Sequence, residues 1–154
     1  MTATTAVPAR KAGTVFALAL ALLLAGPLAD HSAHAATSEQ KAMRRLINKE
    51  RSSRGKPKVR LKDNLNRIAT RHSRRMASSN ELYHNSRLSY ECRNMSWRIL
   101  GENVGVGSSV WSLHRAFMAS TPHRKNILRS SFRKIGVGIA RGGGRTWVTV
   151  VFLG

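Results

Sequence analysis

The chain has 154 residues and an unbalanced charge, with 27 Lys and Arg residues against 7 Asp and Glu residues and a formal net charge of +20. A charge of this sign attracts polyanions and makes any such binding sensitive to salt. The only cysteine, Cys92, excludes an intrachain disulfide framework. The sequence also lacks the G-x-S-x-G, H-E-x-x-H and Walker A motifs, which excludes the enzyme classes that depend on them.

The first thirty-five residues predict a secretory signal peptide rather than part of the fold. Arg10 and Lys11 form a basic start, and an apolar run follows from Val15 to Ala25. Ala33-His34-Ala35 then matches an A-x-A cleavage site. The alternative, an uncleaved membrane anchor, needs about 20 apolar residues, roughly twice the length of this run. We therefore expect cleavage after Ala35, export from the cell and no transmembrane anchor in the mature chain.

The mature chain, residues 36–154, is predicted to form a single domain. The removed segment contains Arg10, Lys11 and Asp30, so the net charge changes from +20 to +19. A chain of this length buries one core without cross-links. Cys92 is then either an intermolecular partner or a buried small residue, and we favour burial because free cysteine is among the most buried residue types.

An amphipathic helix is predicted at the start of the mature chain. Ser38 is its expected N-cap, and Gly55 and Pro57 follow its end. Its predicted apolar stripe consists of Met43, Leu46 and Ile47. Its basic residues are expected to face outward: Arg44, Arg45, Lys49 and Arg51.

A second helix has the strongest periodicity in the chain, with Asp63 as the expected N-cap and an extent of roughly 64–79. One face holds Leu65, Ile68, Ala69, His72 and Met76, and the opposite face holds Arg67, Arg71, Arg74 and Arg75. His72 is either a ligand or a hydrogen-bonded core histidine, and we favour the core role. The arginine face is either a solvated surface or the strip that meets a polyanion.

The middle of the chain predicts a loop, a third helix and a helical turn. Residues 81–97 lack a clean period and are expected to leave the helix for a strand or ordered loop. A tight loop is predicted at Gly101, Gly105 and Gly107. Ser108 or Ser109 caps a helix with Val110, Leu113, His114 and Phe117 on one side. Thr121-Pro122 ends it, and a helical turn follows over 124–128.

The end of the chain predicts a β-hairpin. One strand runs from Ile135 to Ala140, and a second, rich in β-branched and aromatic residues, runs from Arg145 to Leu153. Arg141 and the three glycines after it are the predicted turn. Helices first and a hairpin last indicate an α+β domain.

Three ionisable residues on separate predicted elements are the candidate site: His84, Glu102 and His123. Two imidazoles and a carboxylate suit a zinc-like ion and equally suit a proton-shuttling site. Their spacing has no local ligand pattern, so the residues alone leave both alternatives open. His114 is a fourth candidate, but its helical position places it with the apolar stripe.

The mature chain resembles the CAP superfamily, the group of cysteine-rich secretory, antigen 5 and plant pathogenesis-related proteins, and in particular its cysteine-poor secreted bacterial members with SCP domains. The resemblance covers nearly all of the mature chain. Seven segments appear in the family's order and spacing: LINKERSSRGKPKVRL, LNRIATRHSRRMA, YHNS, GENVGVG, FMASTPHRKNIL, FRKIGVGIA and WVTVVF.

The resemblance implies a three-layer α-β-α sandwich with a small antiparallel sheet between helices. It also implies that His84, Glu102 and His123 converge in one surface cleft, where two histidines and a glutamate with open coordination positions are a chemically reasonable set for a divalent ion such as Zn²⁺. In many eukaryotic members a second glutamate completes a tetrad, three residues after a tryptophan. Here Phe117 occupies the tryptophan position and Ser120 the glutamate position, so the fourth ionisable ligand is missing.

Two asparagines are also expected near this cleft. Asn103 follows Glu102, and its side chain is expected to close a turn rather than to bind ligand. Asn126 either donates a hydrogen bond into the cleft or has a capping or structural role. Asn126 and Ser120 therefore join the candidate ligand-binding residues.

Three functions compete at this stage. The first is a secreted, cationic binding module for a metal or a sterol-like, fatty-acid-like or other small ligand, directed to anionic envelope polymers or anionic lipid headgroups. The second is a metal-assisted extracellular hydrolase with Glu102 as general base, although no nucleophile is evident. The third is a cationic structural or antimicrobial protein without an active cleft. We expect a monomer without a specific nucleic-acid partner.

Overall fold

The computed structural model describes residues 36–154, and the predicted signal peptide lies outside the described residues. Five helices and four strands are found in this part of the chain. In chain order they are α1 (Ser38–Ser52), β1 (Arg60–Leu61), α2 (Asp63–Ser79), α3 (Leu88–Glu91), β2 (Leu100–Gly107), α4 (Val110–Ala119), α5 (Thr121–Leu128), β3 (Lys134–Gly142) and β4 (Arg145–Leu153).

The four strands form one sheet in the order β1-β3-β4-β2, with helices on both faces. The α2 helix packs against β3 and β4 on one face, and α1, α4 and α5 share a hydrophobic cluster with the other. This arrangement confirms the predicted α+β class and three-layer sandwich. The three longer strands pair antiparallel, as expected, and the two-residue strand β1 adds one parallel pairing with β3.

The central strand β4 is buried on both faces, which explains its nearly continuous apolar sequence. Val148, Val150 and Phe152 belong to the cluster that includes α1, α4 and α5. Val151 and Leu153 pack with residues of α2 on the opposite face. Because successive strand side chains point to opposite faces, one nine-residue strand joins both layers of helices.

Two glycines let α2 lie directly on the sheet. A Cβ atom on Gly136 would lie 2.2 Å from the backbone carbon of Leu65, and one on Gly138 would lie 2.0 Å from that of Ala69. Both distances are far below any real carbon contact, so no other residue fits without displacing the helix. The glycines of β3 therefore fix the position of α2, and with it the start of the segment that contains His84.

The edge of β3 is closed by side chains where β1 ends. β1 pairs only with Lys134 and Ile135, which leaves the backbone of Val137 without a strand partner on that side. The side-chain oxygen of Asn66 accepts from the backbone N–H of Val137 at 3.0 Å. The side-chain amide of Gln40 donates to the backbone carbonyl of Val137 at 2.6 Å. Two helices thus satisfy polar groups that an open sheet edge would expose.

Arg51, near the end of α1, is fully buried, so the expectation that it faces outward was wrong. Its guanidinium donates to four backbone carbonyls, those of Pro57 (2.7 Å), Ile127 (2.7 Å), Arg129 (2.9 Å) and Phe132 (3.0 Å). Burial, and secondarily the charge of Arg133, lowers the pKa of Arg51. The side chain ties α1 to the segments that follow it and precede β3.

The helix starts differ by one residue from the sequence prediction. Thr37, not Ser38, caps α1, and its hydroxyl accepts from the Gln40 N–H while the Gln40 side chain bonds back to Thr37. Lys62 occupies the N-cap position of α2 without a side-chain bond, and Asp63 is its first helical residue. Ser109 caps α4 as expected. The predicted helical turn over 124–128 is part of the longer helix α5.

The predicted glycine loop at residues 101–107 is instead strand β2, which pairs with β4 over all eight of its residues. Glycine is needed in this strand because aromatic rings pack directly against its backbone, not because the chain turns there. A Cβ atom on Gly105 would lie 3.0 Å from the ring of Phe117, and one on Gly101 would lie 2.8 Å from that of Phe132. The actual tight turn is at Gly143 and Gly144, which both have positive φ angles and join β3 to β4.

Cys92 is fully buried, as favoured from the sequence, and packs in one cluster with Leu65, Ile68 and Val151. Burial, and then the nearby charge of Glu91, raises the pKa of its thiol. Among residues 36–154, every helix is too short or too polar to cross a membrane.

Candidate functional site

The candidate site is built around β2, an edge strand of the sheet. Glu102 is paired with Val151 and Asn103 with Val150. Neighbouring strand residues point to opposite faces, so the carboxylate of Glu102 meets the segment after α2, whereas the amide of Asn103 meets α5. Because no strand lies beyond β2 within the described residues, side chains from both layers approach each other around this edge.

His84 and Glu102 are in direct contact. Nδ1 of His84 lies 2.8 Å from Oε2 of Glu102, and the backbone N–H of Asn85 donates to the same oxygen at 2.9 Å. An ionised carboxylate only accepts hydrogen bonds, so Nδ1 of His84 is the donor in this contact. The carboxylate side chain is only 6% exposed, whereas the imidazole is 63% exposed. The contribution of the Asn85 backbone had no signal in the sequence.

The second oxygen of Glu102 is the unusual feature of the site. Oε1 is buried and has no hydrogen-bond partner among residues 36–154. Buried polar atoms almost always have a partner, and each exception calls for an explanation such as a ligand, an ion or a catalytic role. Oε2 is satisfied twice while Oε1 is not, so the carboxylate is held in place with one acceptor unused.

His123 approaches the same place from α5. Its ring lies 5.1 Å from that of Phe117, centroid to centroid. Burial lowers the pKa of His123, and the charge of His84 lowers it further. His84 is thus close enough to His123 to lower the pKa of the His123 ring. At neutral pH the His123 ring is therefore held in its neutral form, which has a free acceptor nitrogen.

Two asparagines bind α5 to β2 and so position His123. The Asn103 amide donates to the backbone carbonyl of His123 at 3.0 Å. The Asn126 amide donates to the carbonyl of Glu102 at 3.1 Å and to the Asn103 side chain at 2.9 Å. These bonds use both N–H donors of the Asn126 amide, so Asn126 has the structural role of joining α5 to β2.

The remaining candidates lie around the cleft rather than in contact with Glu102. Ser120 links α4 to α5, and its hydroxyl caps neither helix. His72 is fully buried, and its Nε2 lies 2.8 Å from the carbonyl of Tyr83, so it has the favoured core role and anchors the residue before His84. His114 is buried on α4, where burial lowers its pKa against the opposing charge of Glu50.

The predicted metal set is not preassembled. Within residues 36–154, no group of three or more His, Cys, Asp or Glu side chains stands in an arrangement that could hold a metal ion. His84 and Glu102 bond to each other instead of pointing to a common centre. The side chains as they stand therefore do not fit a resident Zn²⁺, and the metal remains a prediction of the sequence.

A cavity of about 420 Å³ lies elsewhere, between the start of α2 and the ends of β3 and β4. Its lining consists of Lys62, Asp63, Asn64, Leu65, Asn94, Met95, Ser96, Lys134 and Leu153. It shares no residue with the His84–Glu102 site. The His84–Glu102 site is therefore supported by the unpartnered oxygen of Glu102 and not by the volume of this cavity.

Sequence comparison places the chain in a family. The model of the cysteine-rich secretory protein family, CAP, matches residues 44–152. The chain therefore belongs to this family, as its segments predicted. It is also 30% identical over 111 residues to the uncharacterized protein YkwD of Bacillus subtilis (strain 168), a match that covers 68% of this chain and 43% of that protein.

Solved structures show the same fold. An extracellular protein containing an SCP domain from Bacillus anthracis str. Ames superposes with a TM-score of 0.67 at 23% identity, over 75% of this chain and 40% of that one. An outer surface protein from Borrelia burgdorferi also has a TM-score of 0.67, at 15% identity, over 73% of this chain and 90% of that one. The chain spans less than half the length of YkwD and of the Bacillus anthracis protein.

Proposed function

We propose that this protein is an exported binding module whose cleft, formed by His84, Glu102 and His123, captures a small or lipid-like ligand through a hydrogen-bond donor or positive group. The observation that supports this most is the buried, unpartnered Oε1 of Glu102. Export is supported by the predicted signal peptide, and by relatives in fold that are described as an extracellular protein and an outer surface protein.

The chemistry of the cleft favours a ligand that donates. Leaving a buried acceptor without a partner costs about 1–3 kcal/mol, and more when it is charged. The neutral ring of His123 adds a further acceptor nitrogen to the proposed cleft. A hydroxyl or ammonium group on the ligand would satisfy these acceptors, whereas a carboxylate or phosphate would meet only lone pairs.

Entry of such a ligand requires His84 to move, because Oε1 is covered in the present arrangement. The side chain of His84 is 63% exposed. Its ring is held by the hydrogen bond between Nδ1 and Oε2 of Glu102. Little packing therefore opposes its displacement. In this proposal His84 covers the carboxylate in the free protein and contributes its second nitrogen to the bound ligand.

Two alternatives use the same residues. A divalent ion would have to draw His84, Glu102 and His123 toward a common centre, which the side chains do not form as they stand. A hydrolase would use Oε1 of Glu102 as general base, and hydrolysis of an envelope or peptide substrate would then have to vanish in Glu102→Gln. A purely structural or antimicrobial protein would show no dependence on Glu102 at all.

The test combines native mass spectrometry of the protein from its own host with thermal melting against three probes: zinc chloride, the fatty alcohol hexadecanol, and cholesterol. A ligand that binds the native state raises the melting temperature according to its occupancy. Glu102→Gln is compared with wild type, and Glu91→Gln is the matched control. Glu91 is also a largely buried carboxylate, with 11% side-chain exposure, but its partners are Arg71 and Arg75.

We expect a retained ligand, or a melting shift with hexadecanol or cholesterol, in wild type and Glu91→Gln but not in Glu102→Gln. A shift with zinc alone that is lost in His84→Ala would establish the metal alternative instead. Equal behaviour of all variants toward every probe, with no retained ligand, would remove the binding proposal.

A further inference from the structure

Four of the five exposed large hydrophobic side chains in residues 36–154 lie in one connection, between α2 and β2. They are Leu82 (48% exposed), Tyr83 (37%), Tyr90 (52%) and Trp97 (37%). The fifth, Trp111 at 59%, belongs to α4 on the opposite side of the sheet. Single exposed hydrophobics are ordinary, but a group of them marks an interaction surface.

These side chains belong to one connection that α2 holds in place. His72 of α2 bonds to Tyr83, and Arg71 in the same turn pairs with Glu91, near the middle of the connection, at 3.3 Å. Asn85 also donates to Glu91 at 3.0 Å, which folds the connection back on itself. Further along, the indole N–H of Trp97 donates to the carbonyl of Cys92 at 3.1 Å. We call this surface, residues 81–98 with the outer side of α2, the aromatic face.

The aromatic face is also strongly cationic. The guanidinium carbons of Arg87 and Arg93 lie 5.1 Å and 4.0 Å from the centre of the Tyr90 ring. Other exposed basic side chains of the face are Arg67, Arg71, Arg74 and Arg98. Its acidic residues are Asp63, Glu81 and Glu91, and Glu91 is already paired with Arg71 and Arg75. Charge complementarity therefore requires an anionic partner.

We propose that the aromatic face docks on the surface of an anionic lipid bilayer. Arginine binds phosphate through planar paired donors, and tyrosine and tryptophan accumulate at membrane–water interfaces. Leu82 decides between a bilayer and a hydrated polyanion. An aliphatic side chain gains free energy only by leaving water, and a polymer of charged units provides no apolar phase for it. Apolar area and basic charge together are the combination that interfacial binding uses.

This inference identifies a surface for the anionic partner in the proposed function, but it does not depend on the cleft. His84 lies between Tyr83 and Asn85, so the cleft opens beside the aromatic face. Docking would place that opening next to the lipid headgroups. The two proposals can fail separately, because docking is tested with substitutions that leave the His84–Glu102 contact untouched.

The first experiment measures partition of the full mature chain onto vesicles of equal parts phosphatidylglycerol and phosphatidylcholine, and onto phosphatidylcholine alone, across a salt series. Leu82→Ser should weaken binding to the anionic vesicles by at least about threefold, from the apolar area lost. Arg87→Gln with Arg93→Gln should weaken it by at least about tenfold, since each basic residue near the surface is worth roughly fivefold.

Two substitutions on α4 are the matched controls, since Trp111 and Arg115 are exposed there. Trp111→Ser and Arg115→Gln should bind the anionic vesicles as wild type does. A second readout uses Trp97 in a Trp111→Phe background, where Trp147 is buried and contributes a constant signal. Its fluorescence should shift to shorter wavelength on the anionic vesicles and stay unchanged on phosphatidylcholine alone.

Each contrary result overturns the proposal. If Leu82→Ser binds as wild type while the double arginine variant fails, the partner is a polyanion such as a nucleic acid or envelope polymer, not a bilayer. If Trp111→Ser weakens binding to the anionic vesicles as much as Leu82→Ser does, binding does not use the aromatic face. An unchanged Trp97 spectrum at saturating vesicle, or binding that is indifferent to salt, likewise contradicts charge-assisted docking of the aromatic face.

Discussion

Arg51 and Glu102 are both charged groups inside the fold, and they are treated in opposite ways. The guanidinium of Arg51 is fully buried and donates to four carbonyls. The carboxylate of Glu102 is nearly as deep, at 6% exposure, yet one of its oxygens has no partner in the described chain. The charge of Arg51 is satisfied from within the fold, whereas the carboxylate of Glu102 keeps one acceptor without a partner among the described residues.

The same contrast separates two regions of the molecule. Around Arg51, the end of α1 is joined to the segments before β3 by backbone acceptors that cannot move independently. Around Glu102, Asn103 and Asn126 join α5 to β2, whereas the ring of His84 is largely exposed. The region around Arg51 is therefore held by many bonds to one buried side chain, and the region around Glu102 leaves one of its side chains mostly in solvent.

The largest expected effect is the loss of Arg51. Arg51→Met should lower the free energy of unfolding by about 3 kcal/mol or more, because the substitution leaves several buried carbonyls without donors. Urea unfolding measures this. Arg54→Met is the control, since Arg54 is exposed and pairs with Glu50 on the surface, where a pair is worth about 1 kcal/mol or less. Equal losses in the two variants would contradict the structural role of Arg51.

A smaller effect should separate two carboxylates. Burial raises the pKa of Glu91, but the Asn85 hydrogen bond and the charges of Arg71 and Arg75 outweigh it and hold that pKa below its usual value. Glu91→Gln should therefore cost about 1 kcal/mol of stability at neutral pH, which disappears as pH falls through the lowered pKa. Glu102→Gln should be neutral or stabilising, because it removes a charge with an unpaired oxygen. The reverse order in urea unfolding would argue against an unused acceptor.

The smallest expected effect is a pH dependence of stability from His114, a buried imidazole whose neutral form is favoured by burial. Its lowered folded pKa means that the unfolded chain binds the proton more tightly. Its contribution to stability is thus complete above the unfolded value of about 6.5 and is lost as pH falls below it. Thermal melts from neutral pH to pH 5 should show a shallower decline for His114→Gln than for wild type. His123 acts in the same direction, so the comparison is repeated in a His123→Gln background.

The sequence was informative where local patterns decide the structure. The apolar repeat of α2 and the β-branched run of β4 predicted those elements nearly to the residue. The glycines of residues 101–107 led to the wrong prediction of a loop, because glycine serves two structural purposes. At Gly143 and Gly144 it permits positive φ angles, whereas at Gly101 and Gly105 it admits neighbouring rings, and no local signal distinguishes the two.

Long-range contacts could not be predicted from the residues. Arg51 has the spacing of an exposed helix residue, and its burial depends on carbonyls up to 81 positions later in the chain. His84 and Glu102 are 18 residues apart, without a ligand spacing to connect them. Their shared cleft was expected only from family resemblance, and the unused oxygen of Glu102 became visible only once the surrounding backbone was in place.

Cys92 gives the fold a built-in reporter of its own opening. Its thiol lies under α3 against Leu65 and Ile68 and has a raised pKa, so reagents reach it only when the connection lifts from α2. The rate of labelling at this one position therefore counts how often that layer separates. Because the same connection forms the aromatic face, anything that settles on the face should slow the labelling.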